Sequence, residues 1–477
     1  MSSPNIAFGT DGWRAIIGED FSSENVKLCA QAVADYLSNR NLHSKGIIVG
    51  YDTRLGSKTF SHDVARVLAA NNIPVFLSTN FAPTPVISYN VTNMKTAGAI
   101  IITASHNAAE WNGFKVKSEY GGSAPVEVIS EIENNIEALV SQKRSPKMIT
   151  IEEAKKLRLL QYFDPKISYL NHVKNLIDFD LIKRYPMNIA VDSMYGAAIG
   201  YIKSLLSEYQ DTIEEIHATE NPSFPGLRKP EPIGPNLRQL RDTVLKGGHA
   251  IGLATDGDGD RIGVIDNTGR YLSSLQVFSL LTHYLLKKRA SKGPIIKSIT
   301  TSKMIEKLAS HYNVEVVTSP VGFKYLGALF IEKDALIAGE ESGGFAFKGH
   351  IPERDGILSA LILIEALAAT RQPLSSLLDE LYDLVGPHYY DRLDLTFPER
   401  ERPRIEQKLR TKRVPSFLDL PVTDFSDVDG YLYTLIDDSW VLVRFSGTEP
   451  LMRIYAESNS MENVNKLIGE ARNIVGI

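Results

Sequence analysis

Residues 103–115 read TASHNAAEWNGFK, and they follow the apolar run 97–102 without a break. A run of that length and composition makes a buried parallel strand, and its abrupt end in small and polar residues places Ser105 at the carboxyl edge of a sheet. Ligands bind along that edge in open α/β sheets. Ser105, with His106 and Asn107 beside it, therefore offers a nucleophile with hydrogen-bonding neighbours. A helix N-cap or a polar turn is written with the same letters, so other segments decide between these readings.

Around this stretch, strand-like runs at 46–51, 73–78 and 97–103 alternate with helical patterns at 23–39, 58–71 and 126–142, the signature of βαβ units. Upstream, residues 8–14 read FGTDGWR; two glycines in four residues predict a tight loop from which Arg14 reaches an anion. A second cycle has strands at 187–192 and 213–218, a helix at 196–206, and a loop at 221–236 with five prolines. A loop of that length inside regular structure is expected to be functional. The helix 237–245 and the strand 250–255 follow, and the strand runs into 256–261, DGDGDR. The third cycle has strands at 294–300 and 314–318 and helices at 273–288, 302–311 and 322–332. Its strand 335–338 delivers 339–344, GEESGG, ahead of an apolar helix at 354–370 that is expected to be buried.

From about residue 385 the pattern changes to half-exposed alternation at 389–397, 431–437 and 441–445, with helices at 404–411 and 461–475, which predicts a separate α+β domain. It carries 444–450, RFSGTEP, where Arg444, the hydroxyls of Ser446 and Thr448 and the backbone around Gly447 are suited to enclosing a phosphate. The expected domains are 1–155, 156–268, 269–384 and 385–477.

Composition narrows the classes of function. A chain of 477 residues with 43% apolar and 23% charged content is long enough for several buried cores. A net charge of −5 gives no support for a nucleic-acid or anionic-membrane partner. The one cysteine, Cys29, falls on the apolar face of a helix and is expected to be a buried, inert thiol. There is no basic and apolar leader pattern and no apolar run of membrane-spanning length, so a cytoplasmic protein is expected.

DGDGDR is the most chemically specific segment. Asp256, Asp258 and Asp260, spaced by glycines, can face one point, where two carboxylates about 5 Å apart repel by roughly 3 kcal/mol at an effective dielectric near 20. Such a cluster wants a cation, and an all-oxygen donor set favours Mg²⁺ over calcium and manganese. An EF-hand loop is excluded because Arg261 and Asn267 stand where glycine and glutamate are required. A nucleophile elbow is disfavoured, since Thr103 and Asn107 occupy its glycine positions. A serine near a divalent cation and several anion-binding groups makes better sense as a phosphoryl carrier. In GEESGG, Glu340 and Ser342 are suited to gripping vicinal sugar hydroxyls.

Taken together, FGTDGWR, TASHNAAEWNGFK, DGDGDR, GEESGG and RFSGTEP resemble the α-D-phosphohexomutases, the phosphoglucomutases and phosphomannomutases, in order and spacing over nearly the whole chain. The resemblance implies an α/β fold of four domains around a central active-site cleft: three related α/β units with mixed sheets and a C-terminal α+β domain. It implies that Ser105 carries a phosphoryl group, that Asp256, Asp258 and Asp260 bind Mg²⁺ with a phosphoserine oxygen, and that Glu340 and Ser342 hold sugar hydroxyls. Arg444, Ser446, Gly447 and Thr448 match the clamp for the nonreacting phosphate, and Arg14, His106, Lys115 and Arg261 match positions lining the catalytic centre. The implied reaction interconverts hexose 1-phosphate and 6-phosphate through glucose 1,6-bisphosphate or its analogue, in a monomer or homodimer.

Two departures from the family pattern stand out, the first a matter of loop stiffness and the second bearing on the sugar. Ala108 replaces a proline common in the family, and Phe323 and Gly344 stand where bacterial phosphomannomutase-type members carry histidine. The VGFKY pattern resembles phosphoglucomutases, so glucose is the expected sugar and Lys324 a candidate base or phosphate contact. Phosphomannomutase or dual specificity is the alternative, followed by a bisphosphate synthase or a catalytically silent sugar-phosphate binding protein.

Overall fold

The apolar run before Ser105 folds as the strand Gly98–Ile102, with every residue buried. It lies in the middle of a mixed sheet, parallel to Ile47–Tyr51 and antiparallel to Trp111–Ser118. In this computed structural model, which describes residues 5–209, 212–411, 414–445 and 451–476, that arrangement recurs in each of the first three units. Ile251–Thr255 runs parallel to Asn188–Asp192 and returns as the antiparallel Ile262–Asp266. Ile337–Gly339 runs parallel to Ile295–Ser298 and returns as Phe345–Phe347. The serine turn, the aspartate loop and GEESGG are thus each the turn between a parallel strand and its antiparallel return. The sequence reading found the first strand of each pair and not the second.

Other differences follow from pairing. FGTDGWR is not wholly loop: Arg14 lies on the edge strand Trp13–Ile16, paired with Trp111–Ser118. The first sheet runs past residue 155, because Thr150 and Glu153 form a capping box that starts the helix Ile151–Lys156 and turns the chain back to add Leu160–Phe163 beside Val75–Ser78. The second sheet likewise runs past residue 268, to Tyr271–Leu272. The helix expected from residue 196 begins at Tyr201. Gly196 packs on the aspartate loop, where a Cβ would meet the Gly257 carbonyl at 2.8 Å.

One apolar core runs through all three α/β units, from Ile48 and Val86 through Ile189 and Leu253 to Leu281 and Leu361. Its centre is the helix Gly356–Thr370, buried almost throughout as its composition predicts. Cys29 is buried, and burial pushes its thiol far up, as expected of an inert group. Among the described residues no single helix is long and apolar enough to cross a membrane. The fourth unit is an antiparallel sheet of six strands with its own core around Ile405, Val443, Ile454 and Leu467. It meets the third through Trp440, Leu442 and Tyr455 against Ile299.

Units one and three are also joined by buried ions: Lys117 Nζ lies 2.7 Å from Glu353 Oε2, both side chains fully buried, and 3.1 Å from Asp11. Removing one partner leaves the other charge buried, at a cost of about 3–5 kcal/mol when no second partner remains. Asp11 still faces Lys117, so Glu353→Ala is expected to fall near the lower end. Urea unfolding followed by intrinsic fluorescence checks this, and an unchanged midpoint would contradict it.

Candidate active site

Three apolar strands deliver their polar turns to one place. Ser105 sits in the first turn with φ +51°, a left-handed conformation that costs a residue with a Cβ about 1–2 kcal/mol. The Thr103 hydroxyl accepts the Ser105 N–H at 2.9 Å. The Ser105 hydroxyl donates to Asp256 Oδ2 at 2.7 Å, and His106 Nδ1 lies 3.4 Å from Ser105 Oγ. The turn and the aspartate loop are in backbone contact, since a Cβ on Gly257 would stand 2.4 Å from the Ser105 carbonyl.

Asp256, Asp258 and Asp260 are fully buried and each offers a carboxylate oxygen within 4.8 Å of the others. Asp256 Oδ1 accepts the N–H groups of Asp260 and Arg261. Asp258 sits at the start of the helix Thr84–Met94, where its Oδ2 accepts from the Thr84 hydroxyl at 2.6 Å and its carbonyl from the Thr84 N–H at 2.8 Å. Lys115, on the return strand, places Nζ 2.7 Å from Asp258 Oδ2, 3.3 Å from Asp260 Oδ2 and 2.7 Å from Asp11. Arg354 lies 2.9 Å from Asp260 and 3.9 Å from Glu340, and also pairs with Asp11.

Burial and the Asp260 and Asp258 charges push the Asp256 carboxyl well above its ordinary range, against Arg261. Burial acts the same way on Asp258, but the Lys115 ammonium outweighs it and holds that carboxyl low. For Lys115, burial favours the neutral amine, while Asp11, Asp258 and Asp260 hold the charge and raise its pKa. His106 goes the other way: burial, then Arg261, Arg14 and Lys229, push it well below the usual histidine value, leaving a neutral imidazole.

The remaining expected residues divide. Arg14 reaches the serine turn, donating to Asn107 Oδ1 at 2.7 Å. Arg261 lies 3.9 Å from Asp256, 3.8 Å from Asp260 and 3.8 Å from Glu231. Glu340 accepts the Gly322 N–H at 2.9 Å, and burial pushes its carboxyl up. The Ser342 hydroxyl is buried with no hydrogen-bond partner among the described residues. Lys324 stacks its ammonium over the Tyr325 ring at 5.3 Å, and no hydrogen bond or ion pair joins it to the serine–aspartate cluster among the described residues. Arg444 donates to Asp429 at 2.8 Å, whereas Ser446, Gly447 and Thr448 lie outside the described residues.

Sequence reasoning missed Asp11, Thr84, Arg354 and Arg54, the last donating to several carbonyls of the serine turn. Arg54 carried a usable signal, since Asp52–Thr53–Arg54 ends the strand Ile47–Tyr51 in the same apolar-to-polar break that marked Ser105. The others meet the site only through long-range packing.

Descriptions of phosphoglucomutase/phosphomannomutase domains match the chain in sequence order: alpha/beta/alpha domain I over residues 5–143, domain II over 167–269, domain III over 274–385 and the C-terminal domain over 406–474. A Thermus thermophilus crystal structure, provisionally named a phosphomannomutase, superposes with a TM-score of 0.86 at 30% identity, over 100% of both chains. The chain belongs to the phosphoglucomutase/phosphomannomutase family. It is a phosphohexomutase-class isomerase. A phosphoglucomutase/phosphomannomutase of Thermococcus kodakarensis is 29% identical over 97% of this chain and 96% of its own length. A phosphoglucosamine/phosphogalactosamine mutase of Sulfurisphaera tokodaii is also 29% identical, over 98% of each.

The phosphohexomutase family depends on Mg²⁺, and the aspartate loop fits such an ion. Asp258 Oδ1 and Asp260 Oδ1 are buried without a hydrogen-bond partner, while Lys115, Thr84 and Arg354 occupy the Oδ2 atoms. Asp258 and Asp260 thus each keep one oxygen free of hydrogen bonds for a hard cation, and Asp256 meets it through oxygens that also accept from Ser105 and the loop backbone. Calorimetric titration of Mg²⁺ is expected to show one site in the wild type. Asp258→Asn or Asp260→Asn is expected to weaken it by about 10–100-fold, from the loss of one charged oxygen donor; unchanged affinity in both would argue against this ligand set.

Proposed function

We propose that the chain interconverts glucose 1-phosphate and glucose 6-phosphate through phosphorylated Ser105 and a glucose 1,6-bisphosphate intermediate. The observation that carries the reading is the 2.7 Å contact of the Ser105 hydroxyl with Asp256 of the buried aspartate cluster, inside a site lined by cations. In the first half-reaction the phosphorus–Oγ bond of phosphoserine breaks as a bond forms from phosphorus to the sugar's 6-hydroxyl, whose proton ends on Oγ. After the sugar turns end for end, the 1-phosphoryl group passes to Oγ and the serine proton ends on the released sugar oxygen. Bound Mg²⁺ supplies neutralising charge for the transferring phosphoryl group.

The residues of the chain divide the remaining work. His106, held neutral and beside Oγ, relays the proton. Lys115, held charged, stabilises negative charge in the transition state, and Arg14 and Arg261 add to that field. Glu340 and Ser342 grip sugar hydroxyls, and Arg444 with Ser446, Gly447 and Thr448 clamps the phosphate that is not reacting. Arg444 holds Asp429 in this structure, and Asp429 also accepts the Val321 N–H at 2.8 Å. A bound phosphate competes for that arginine, which gives the fourth unit a reason to move as substrate enters.

The preference for glucose rests on two positions. Phe323 is buried beneath Arg354, 5.4 Å from its guanidinium carbon to the ring centre. A Cβ on Gly344 would meet Arg354 Cδ at 2.3 Å. Arg354 therefore fills the space that a side chain at position 344 requires.

Parallel assays of the phosphorylated enzyme on the 1-phosphates of glucose, mannose and glucosamine are expected to favour glucose by about 10-fold or more, the net worth of about one hydrogen bond. Equal glucose and mannose rates would refute the preference and leave the mutase chemistry standing. Ser105→Ala is expected to abolish turnover, and near-normal activity would refute the phosphoserine route. Release of bisphosphate in place of 6-phosphate would identify a synthase. Small-angle scattering is expected to show compaction on adding sugar phosphate, and an unchanged radius would contradict closure of the fourth unit.

A further inference from the structure

We propose that Arg54 is a positioning residue for the phosphoryl-carrying serine, acting together with Phe224 of the proline-rich loop; the inference rests on the phosphoserine reading above. Arg54 lies at the end of the strand Ile47–Tyr51 and is almost wholly buried. One terminal nitrogen donates to the Ser105 carbonyl at 2.6 Å and the Asn107 carbonyl at 2.5 Å. The other donates to the Ala108 carbonyl at 2.8 Å and the Trp111 carbonyl at 3.1 Å. All four terminal N–H groups are thereby spent on the backbone of a single turn, and Nε stands 3.2 Å from the buried Asp52 carboxylate.

The geometry favours positioning over simple stabilisation. The arginine has no side-chain partner in the turn; it fixes carbonyls, and so fixes the path of a backbone whose serine is held at φ +51°. Asp52 is fixed in its turn by the Ser57 hydroxyl at 2.7 Å, so the fork is braced from behind. Ahead of it, the guanidinium lies over the Phe224 ring at 5.0 Å. Phe224 is buried and comes from the long loop 221–236 of the second unit. The same loop braces the aspartates, because the Pro230 carbonyl accepts the Gly257 N–H at 3.2 Å and Gly257 lies against the Ser105 carbonyl. Arg54 and Phe224 thus set the serine turn of one unit in register with the metal-binding loop of another. Lysine keeps the charge but offers three donors without the planar fork, so it cannot hold all four carbonyls.

The test measures kcat, KM and phosphoryl transfer from pre-phosphorylated Ser105 for the wild type, Arg54→Lys and Phe224→Leu, each normalised to folded protein by thermal unfolding. Arg54→Lys is expected to lower kcat about 100-fold, the scale of a 1 Å misplacement of a reacting group. Its KM for hexose phosphate stays within about 3-fold, because the substrate contacts lie elsewhere. Phe224→Leu is expected to lower kcat about 5-fold in the same pattern, through loss of the ring face under the guanidinium. A merely structural arginine would lower the unfolding temperature and leave kcat per folded molecule unchanged, and that result overturns the proposal. Should Arg54→Lys fail to fold, Phe224→Leu decides alone: wild-type kcat per folded molecule overturns the proposal, and a fall in kcat at constant KM supports it. A wild type that does not interconvert hexose phosphates refutes the functional reading and this proposal with it, an outcome distinct from an active wild type matched by an equally active Arg54→Lys.

Discussion

The mutual repulsion of Asp256, Asp258 and Asp260, gathered within 4.8 Å and fully shielded from water, is the constraint to which the other units answer. At that separation each pair repels by roughly 3 kcal/mol even at an effective dielectric near 20, and burial adds to the cost. The opposing charges come from elsewhere in the chain: Lys115 from the return strand of the first unit, Arg354 from the third. Asp11 lies behind both cations and ties them together. Arg261 adds a base from the acids' own unit, but the closest cations come from two others, so the site is complete only where the three units meet. Buried ion pairs recover little net stability after desolvation, so the value of this network lies in the geometry it selects.

That geometry also keeps the aspartates suited to a metal ion although cations surround them. Lys115 and Arg354 approach the Oδ2 atoms of Asp258 and Asp260, while the Oδ1 atoms accept no hydrogen bond, with Arg261 Nε 3.8 Å from Asp260 Oδ1. The Thr84 hydroxyl and the first turn of the helix Thr84–Met94 hold Asp258 from the same side as the lysine. The protein supplies just enough positive charge to bury the acids without filling the space between them.

Much of this was legible in the sequence, because an apolar run that stops at a polar turn is a local signal and this chain repeats it. The return strands were not, and Trp111–Ser118 shows why. Lys115 and Lys117 lie two residues apart, hence on one face of the strand, and both are buried against acids. A pattern read for apolar alternation sees two charged residues on the inward face and scores the segment as loop. Arg354 escaped for a related reason: its partner Asp11 is 343 residues away, and nothing local marks either as half of a pair. The helix expected from residue 196 starts only at Tyr201, since the preceding turn is shaped by contact with Gly257 rather than by its own propensity.

The fourth unit stands apart in texture and in attachment. The first three share one apolar core, so the serine turn and the aspartate loop are held as parts of one body. The fourth has a separate core, and among the described residues it meets the other units through the small apolar patch at Ile299, through Tyr390 against the shared core and through several polar contacts. Three of those contacts lie at or near the 339–344 loop: Tyr390 and Arg392 on Glu341 within it, and Asp429 on the N–H of Val321, the neighbour of the Gly322 that donates to Glu340. On the proposed reaction, one phosphate is held while the sugar exchanges its ends before a stationary serine. On that reading, a carrier held on the core shared by three units and a clamp on a unit with a core of its own is a division of labour suited to such a turn. On the proposed function Arg444 exchanges Asp429 for that phosphate, and Asp429 is also the residue that accepts the neighbouring unit's Val321 N–H.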